Sequence, residues 1–231
     1  MNRILDVTTS IAATLARLGS GAQVGTLGAR PEQPLELYEF EACPFCRKVR
    51  EALSILDLEA VVYPCPKGGP RYREQLKARG GKAQFPYLVD PNTGKEMYES
   101  DDIVRYLFAQ YGDGKVPALL AAGPITDLTA FLAGAPRPGF GARYQSANAP
   151  ELSLELYSFE ASPFCRIVRE KLCTLELPYR LHNVAKGSPS RGDFVTRSGK
   201  MMVPYLVDQN TSVEMFESAE IVAYLDATYA A

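Results

Sequence analysis

Glu39–Arg50 reads EFEACPFCRKVR, and Ser158–Arg169 reads SFEASPFCRIVR. The first copy sits between a strand-like stretch, LELYEF (Leu35–Phe40), and a helical pattern from Pro44 to Asp57 that places Val49, Leu53 and Leu56 on one face. Proline suits the first helical turn, where its missing N–H costs nothing. The stretch therefore predicts strand, tight turn and helix, with Cys43 at the turn. The second copy repeats that plan with Ser162 in place of Cys43.

The repetition extends well beyond these segments. Leu37–Gly68 lies over Leu156–Gly187 without a gap, and Gln84–Leu107 lies over Met202–Leu225 one residue out of step. Within the first copy a second strand is expected over Glu59–Tyr63 and a polar helix near Arg71–Arg79. YLVD (Tyr87–Asp90), the turn PNTG and KEMY (Lys95–Tyr98) predict a hairpin, and Ser100 is expected to cap a last helix with Ile103, Val104 and Leu107 buried. The order β-α-β-α-β-β-α predicts an α/β unit with a mixed four-stranded sheet and flanking helices. A fainter match pairs Thr9–Leu18 with Thr126–Ala135. Each begins on a capping residue and continues with helical apolar spacing, Ile11, Leu15 and Leu18 in one, Leu128, Phe131 and Leu132 in the other. Ala135–Pro150, rich in Pro and Gly, reads as a connecting loop. The expected division is a leader helix and linker (1–34), a first domain (35–112), a linker with a short helix (113–153) and a second domain (154–231), each domain holding its own core.

Composition sets outer limits. The 231 residues carry a net charge of −2, without the basic excess that nucleic-acid binding requires. No apolar run is long enough to span a membrane. Asp6, Thr8, Thr9 and Ser10 interrupt any secretory core, so a cytoplasmic protein is expected, with a plastid or other organelle as the alternative because Arg3 and Arg17 flank a Ser/Thr/Ala stretch. Five cysteines at irregular spacing argue against a secreted disulfide framework.

Chemistry concentrates at Cys43 and Cys46. A sulfur just ahead of a helix meets unpaired N–H groups and the positive end of the helix dipole, and Arg47 and Lys48 in the next turn are expected to add positive potential. Together these are expected to lower the Cys43 pKa to roughly 4–7. Cys46, one turn on and more covered, suits a resolving thiol. A zinc site would need a fourth ligand beside Cys43, Cys46 and Cys65, so no metal is expected. Cys65 reads either as a third, exposed redox thiol or as an inert one, Cys173 as core, and His182, the only histidine, as structural.

A strand, C-P-F-C opening a helix, an aromatic residue or Val before Pro ahead of a hairpin, and Glu-Ser opening the last helix resemble the glutaredoxin branch of the thioredoxin fold, nearest to the glutathione S-transferase N-terminal domain. YPCPKG (Tyr63–Gly68) resembles the tandem transferase-like proteins of plants and photosynthetic microbes. The resemblance implies two tandem thioredoxin-like domains with glutathione as cosubstrate. It implies cis peptide bonds at Phe85–Pro86 and Val203–Pro204, with the backbone of Phe85 or Val203 pairing with glutathione. It implies that Glu99–Ser100 and Glu217–Ser218 receive the γ-glutamyl end, and that Lys82 and Lys200 reach toward the glycyl carboxylate. Ser162 would either activate a bound glutathione thiol or mark a vestigial site. The function implied is a glutathione-dependent thiol–disulfide oxidoreductase acting on small-molecule or protein disulfides. The alternatives are a transferase or isomerase, a glutathione- or ligand-binding protein without turnover, and an iron–sulfur glutaredoxin-like protein. The helical domain that holds the electrophile in glutathione transferases has no counterpart here, which counts against ordinary conjugation. The duplication suggests an internal pseudo-dimer, with the oligomeric state open.

Overall fold

The structure, a computed structural model, describes residues 3–231; Met1 and Asn2, counted with the leader above, lie outside the described residues. The first half runs α1 (Arg3–Leu15), β1 (Leu35–Glu39), α2 (Pro44–Ile55), β2 (Ala60–Pro64), α3 (Tyr72–Gly80), β3 (Tyr87–Asp90), β4 (Lys95–Met97) and α4 (Ser100–Tyr111). Two short helices follow, α5 (Ala118–Ala121) and α6 (Pro124–Leu132). The second half repeats the order as β5 (Leu154–Ser158), α7 (Pro163–Thr174), β6 (Tyr179–Asn183), α8 (Arg191–Ser198), β7 (Tyr205–Asp208), β8 (Val213–Phe216) and α9 (Ser218–Tyr229).

Each half is a thioredoxin-like unit with a mixed four-stranded sheet. β1 pairs parallel with β2 and antiparallel with β3, and β5 does the same with β6 and β7. The halves are not separate bodies. β2 and β6 pair antiparallel, giving one eight-stranded sheet in the order β4-β3-β1-β2-β6-β5-β7-β8. Val61 faces Arg180, its own counterpart in the repeat, so a pseudo-twofold axis passes through this pair. Joining the inner edges leaves no unpaired strand at the centre of the molecule, which removes two aggregation-prone edges. The separate cores expected from the sequence are instead one. Leu53, Leu56 and Val104 belong to the same apolar cluster as Leu172, Leu175 and Ile221. The opposite face holds two smaller clusters, one around Tyr38 and Leu76, one around Tyr205 and Phe194.

The leader segments are exchanged. α1 packs on α7 of the second half, and α6 packs on α2 of the first. Their register differs from the one the sequence suggests. Arg17 donates from Nη1 to Thr126 O and Thr129 Oγ1, and Arg137 donates from Nη1 to Asp6 O and Thr9 Oγ1. Thr9 therefore corresponds to Thr129, three residues beyond Thr126, and RLGSGA (Arg17–Ala22) corresponds to RPGFGA (Arg137–Ala142). The apolar spacing also points the other way: Ile11, Leu15, Leu18, Leu128, Phe131 and Leu132 are exposed, while Ser10, Ala13, Ala130 and Ala133 are buried. Small residues let a helix approach its neighbour closely, and that close approach decides the inward face. Thr9 is mid-helix, not a cap; its hydroxyl donates to Leu5 O at 2.7 Å.

Cross-half contacts also cap helices. Glu176, itself at a left-handed φ of 51° just after α7, is fully buried and accepts from the Arg71 and Tyr72 amides at 3.1 Å, at the start of α3. Exchange of Glu176 for alanine leaves these donors unmet and is expected to cost about 1–2 kcal/mol, read as a lowered urea midpoint. An unchanged midpoint would show that water replaces the carboxylate without loss.

Candidate functional site

The start of α2 holds the dithiol. Cys43 is the N-cap, with extended backbone (φ −77°, ψ 121°), and Pro44 occupies the first turn. The Cys46 amide donates to Cys43 Sγ at 3.3 Å, so sulfur takes the place usually held by a Ser or Asp oxygen. The Cys46 thiol, followed by the amides of Cys46 and Phe45, holds the Cys43 thiol below its ordinary value, against burial and the nearby Glu39 carboxylate. Burial and the neighbouring Cys43 push the Cys46 thiol well up. The two sulfurs are thus unequal: one is poised to ionise and the other retains its proton.

Two expectations about this site need correction. Cys43, expected to be less covered than Cys46, is itself only 4% exposed. The basic pair does not act on it as foreseen either. Lys48 is fully buried and paired with Asp101 and Asp127, tying α2 to α4 and α6. Arg47 is buried too and lines a separate cavity. The leading influences that lower Cys43 are hydrogen bonds at the helix start.

Phe45, inside the dithiol motif, lines a cleft of about 460 Å³ whose lining includes neither Cys43 nor Cys46. The cleft brings together Phe85, Pro86, Glu99 and Ser100, and the Phe85–Pro86 peptide bond is cis, as is Val203–Pro204. Glu99 is the N-cap of α4 and sits at φ 66°, a conformation that non-glycine residues adopt only when the surroundings hold them. Ser100 is one position later than expected, the first residue of the helix, and no side chain caps this end. The first-turn amides of α4 are therefore left without a side-chain acceptor. The sequence reading missed six further lining residues: Phe45, Gln84, Asp101, Asp102, Arg105 and Asp127. Gln84 Nε2 donates to Glu99 Oε1 at 2.6 Å. Phe45, at 44% exposure inside the C-P-F-C motif, was the one with a readable signal, since a large apolar side chain in a helix's first turn has little core to enter. Lys82 is not brought in: its ammonium lies 4.5 Å from the centre of the Tyr98 ring, and Lys200 does the same at Phe216.

The second half keeps the frame, with Glu217 and Ser218, and loses three of the polar groups. Its cleft, about 210 Å³, is lined by Phe164, Met202, Val203, Pro204, Glu217 and Ser218. Gln84, Asp101 and Arg105 are replaced there by Met202, Ala219 and Ala223. Ser162 Oγ accepts from the Cys165 amide at 3.3 Å, matching the Cys43 geometry atom for atom. Above it α1 is pinned down: Ser10 Oγ donates to Pro163 O at 2.7 Å and Thr14 Oγ1 to Ala161 O at 3.0 Å. On the first half, α6 presents Ala130 and the turn after it Gly134 at those positions, so no such hydroxyls hold the C-P-F-C loop.

The remaining candidates are structural. Cys65 is buried, not exposed, and its thiol donates to Tyr63 O at 3.3 Å. Cys173 is core, bonded to Gly141 O. His182 lies between Glu59 and Glu155, stacked on Tyr157. Among the described residues no group of three His, Cys, Asp or Glu side chains is arranged to hold a metal, and no helix is long and apolar enough to cross a membrane.

Residues 37–124 and 156–231 match the family described as "Glutathione S-transferase, N-terminal domain". No curated protein matches the chain. Among solved structures, a trimeric glutathione transferase from Leishmania (TDR1) is 14% identical, with 84% of this chain and 68% of that one covered and a TM-score of 0.30.

Proposed function

This chain belongs to the glutathione S-transferase N-terminal-domain family, and from that premise we propose that its first half binds glutathione and carries out thiol–disulfide exchange at Cys43, while the second half is a degenerate copy that serves as scaffold. The observation that carries this reading is the sulfur–oxygen pair. Two helix starts have the same geometry, but only Cys43 has a nucleophilic atom, held toward its thiolate by the Cys46 thiol and two amides. A hydroxyl at Ser162 cannot exchange disulfides.

Glutathione fits the first cleft by its chemistry. Its γ-glutamyl carboxylate suits the uncapped amides at the start of α4. Its ammonium suits Glu99 and Asp101 beside them. Its cysteinyl backbone would pair, as an added strand, with the backbone of Phe85. In the first step the Cys43 thiolate attacks the glutathionyl sulfur of a mixed disulfide. A Cys43–glutathione disulfide forms, and the substrate's sulfur leaves as thiolate and takes up a proton. In the second step a glutathione thiolate attacks the glutathionyl sulfur on Cys43, releasing oxidised glutathione and restoring the Cys43 thiolate. Cys46 offers a second exit, attacking Cys43 to close a protein disulfide and release glutathione. All five cysteines are free, which suits a reducing compartment such as the cytoplasm or a plastid.

The burial of Cys43 favours one other reading, a glutathione-binding protein without turnover. Ultraviolet thiolate absorbance against pH, for the wild type and Cys43→Ser, separates the two, combined with turnover of a small mixed disulfide in excess glutathione. Exchange chemistry predicts one thiol titrating below its free value of about 8.5, absent from the variant, together with turnover. An unshifted titration without turnover overturns the oxidoreductase reading.

A further inference from the structure

The four arginines at the paired helix starts, Arg47, Arg50, Arg166 and Arg169, meet three carboxylates, Glu39, Glu41 and Glu160. Positive charge is in excess there, and the excess is not evenly placed. Arg166 Nη1 donates to Ser10 O at 2.8 Å and to Thr14 Oγ1 at 3.3 Å. Its counterpart Arg47 is 4% exposed, yet neither Nε nor Nη1 has a hydrogen-bond partner. The cause lies in the covering helix. α6 and the turn after it offer Ala130 and Gly134 where α1 offers Ser10 and Thr14, and the space left is a cavity of about 250 Å³. Arg47 lines it with Ala42 and Pro44, on either side of Cys43 in the chain, and with Ala130, Phe131 and Phe140. The other charged linings are already engaged: Arg137 with Glu170 and Asp6, Glu41 with Arg169 and Arg50.

A buried guanidinium with two nitrogens lacking hydrogen-bond partners is costly unless something completes it. An apolar chamber with one such cation selects for an anion with an apolar body. We infer that this cavity is a binding site for a small amphipathic carboxylate, whose oxygens pair with Arg47 and whose hydrocarbon part packs on Ala130, Phe131 and Phe140. The planar fork of arginine matches a carboxylate in two parallel bonds. The cavity is smaller than those that take drug-sized ligands, which limits the occupant to a single ring or a short chain. The site is distinct from the glutathione cleft, with which it shares no lining residue.

The test uses benzoate and hexanoate with the neutral benzamide as control, followed by saturation-transfer NMR and by calorimetric melting. Expected results are signals and a raised melting temperature with either carboxylate, and neither with benzamide. Arg47→Gln should weaken binding by at least about tenfold. Gly134→Thr, which restores the hydroxyl that serves Arg166, should do the same by filling the cavity. A Cβ at Gly134 meets Phe131 O at 3.3 Å, so only a small adjustment is needed, and this variant keeps the test open should Arg47→Gln fail to fold. Glutathione should leave benzoate bound. Absence of carboxylate binding to the wild type, equal binding of benzamide, undiminished binding in either variant, or displacement by glutathione would each overturn the assignment.

Discussion

Cys43→Ser is expected to lose glutathione-dependent reduction of a small mixed disulfide by on the order of a thousandfold or more, to the uncatalysed level. The nucleophile in this chemistry is a thiolate, and no second one is at hand: all five cysteines are buried, but burial leaves the thiols of Cys46, Cys65, Cys165 and Cys173 raised, while hydrogen bonds at the helix start leave only Cys43 lowered. The partner cysteine separates the parts of the mechanism. Cys46→Ser keeps a hydroxyl able to donate to Cys43, so it should retain exchange with glutathionylated substrates within about threefold and lose only the protein disulfide. Cys46→Ala removes the strongest single stabiliser of the Cys43 thiolate and should raise the pKa read from thiolate absorbance. Ser162→Cys recreates the dithiol in the second half, but beneath a helix tied to Ala161 and Pro163 by Thr14 and Ser10. It should add little turnover to a Cys43→Ser background. Restored activity in that double variant would show that the covering helix, and not the missing sulfur alone, has been given too much weight.

The second large effect concerns stability. Arg169→Ala is expected to cost about 3–5 kcal/mol, because it leaves two buried carboxylates facing a void. Arg169 donates from Nε to Glu41 at 3.1 Å and from Nη2 to Glu160 at 2.7 Å. Arg50 mirrors it, reaching Glu160 at 3.0 Å and Glu41 at 3.3 Å. Each arginine thus holds a carboxylate from the opposite half, and the loss acts on the joint between the halves. The same cluster predicts the acid response. Burial pushes the Glu160 carboxyl up, but the guanidiniums of Arg169, Arg50, Arg47 and Arg166 more than reverse this and hold it at about 2. A carboxyl lower in the folded chain than in the unfolded one stabilises fully above its unfolded value, near 4.5, and that stabilisation is lost as pH falls toward 2. Glu39, which burial pushes up to about 7, acts in the opposite sense, so urea midpoints measured between these pH values should lose more to acid in the wild type than in Glu160→Gln. A Glu160→Gln curve parallel to the wild type would mean that the cluster titrates through another member.

Much of the site was legible in the sequence because its signals are local. Proline after Cys43 opens α2, and the spacing of Val49, Leu53 and Leu56 marks its buried face. YLVD, PNTG and KEM make the hairpin, and the two copies agree on every element. What failed or stayed open were the statements that depend on which distant segment lies opposite. Cys65 read either as an exposed redox thiol or as an inert one, and only the fold encloses it with Tyr38, Leu76 and their neighbours. Lys48 looked like part of the thiol's environment and is held instead by Asp101 and Asp127.

The amino-acid sequence alone determined two thioredoxin-like units, the place of the two helix starts at Cys43 and Ser162, and the exchange of one sulfur for oxygen between them, since periodicity, proline placement and residue identity are properties of short stretches. Only the tertiary structure decided that β2 and β6 join the units into one sheet, that each leader helix covers the other unit, and that Arg47 Nη1 is left unpaired where Arg166 Nη1 is not. Those outcomes depend on steric fit and charge balance between segments far apart in the chain, and a pattern that shows which residues share a face does not say what that face will meet.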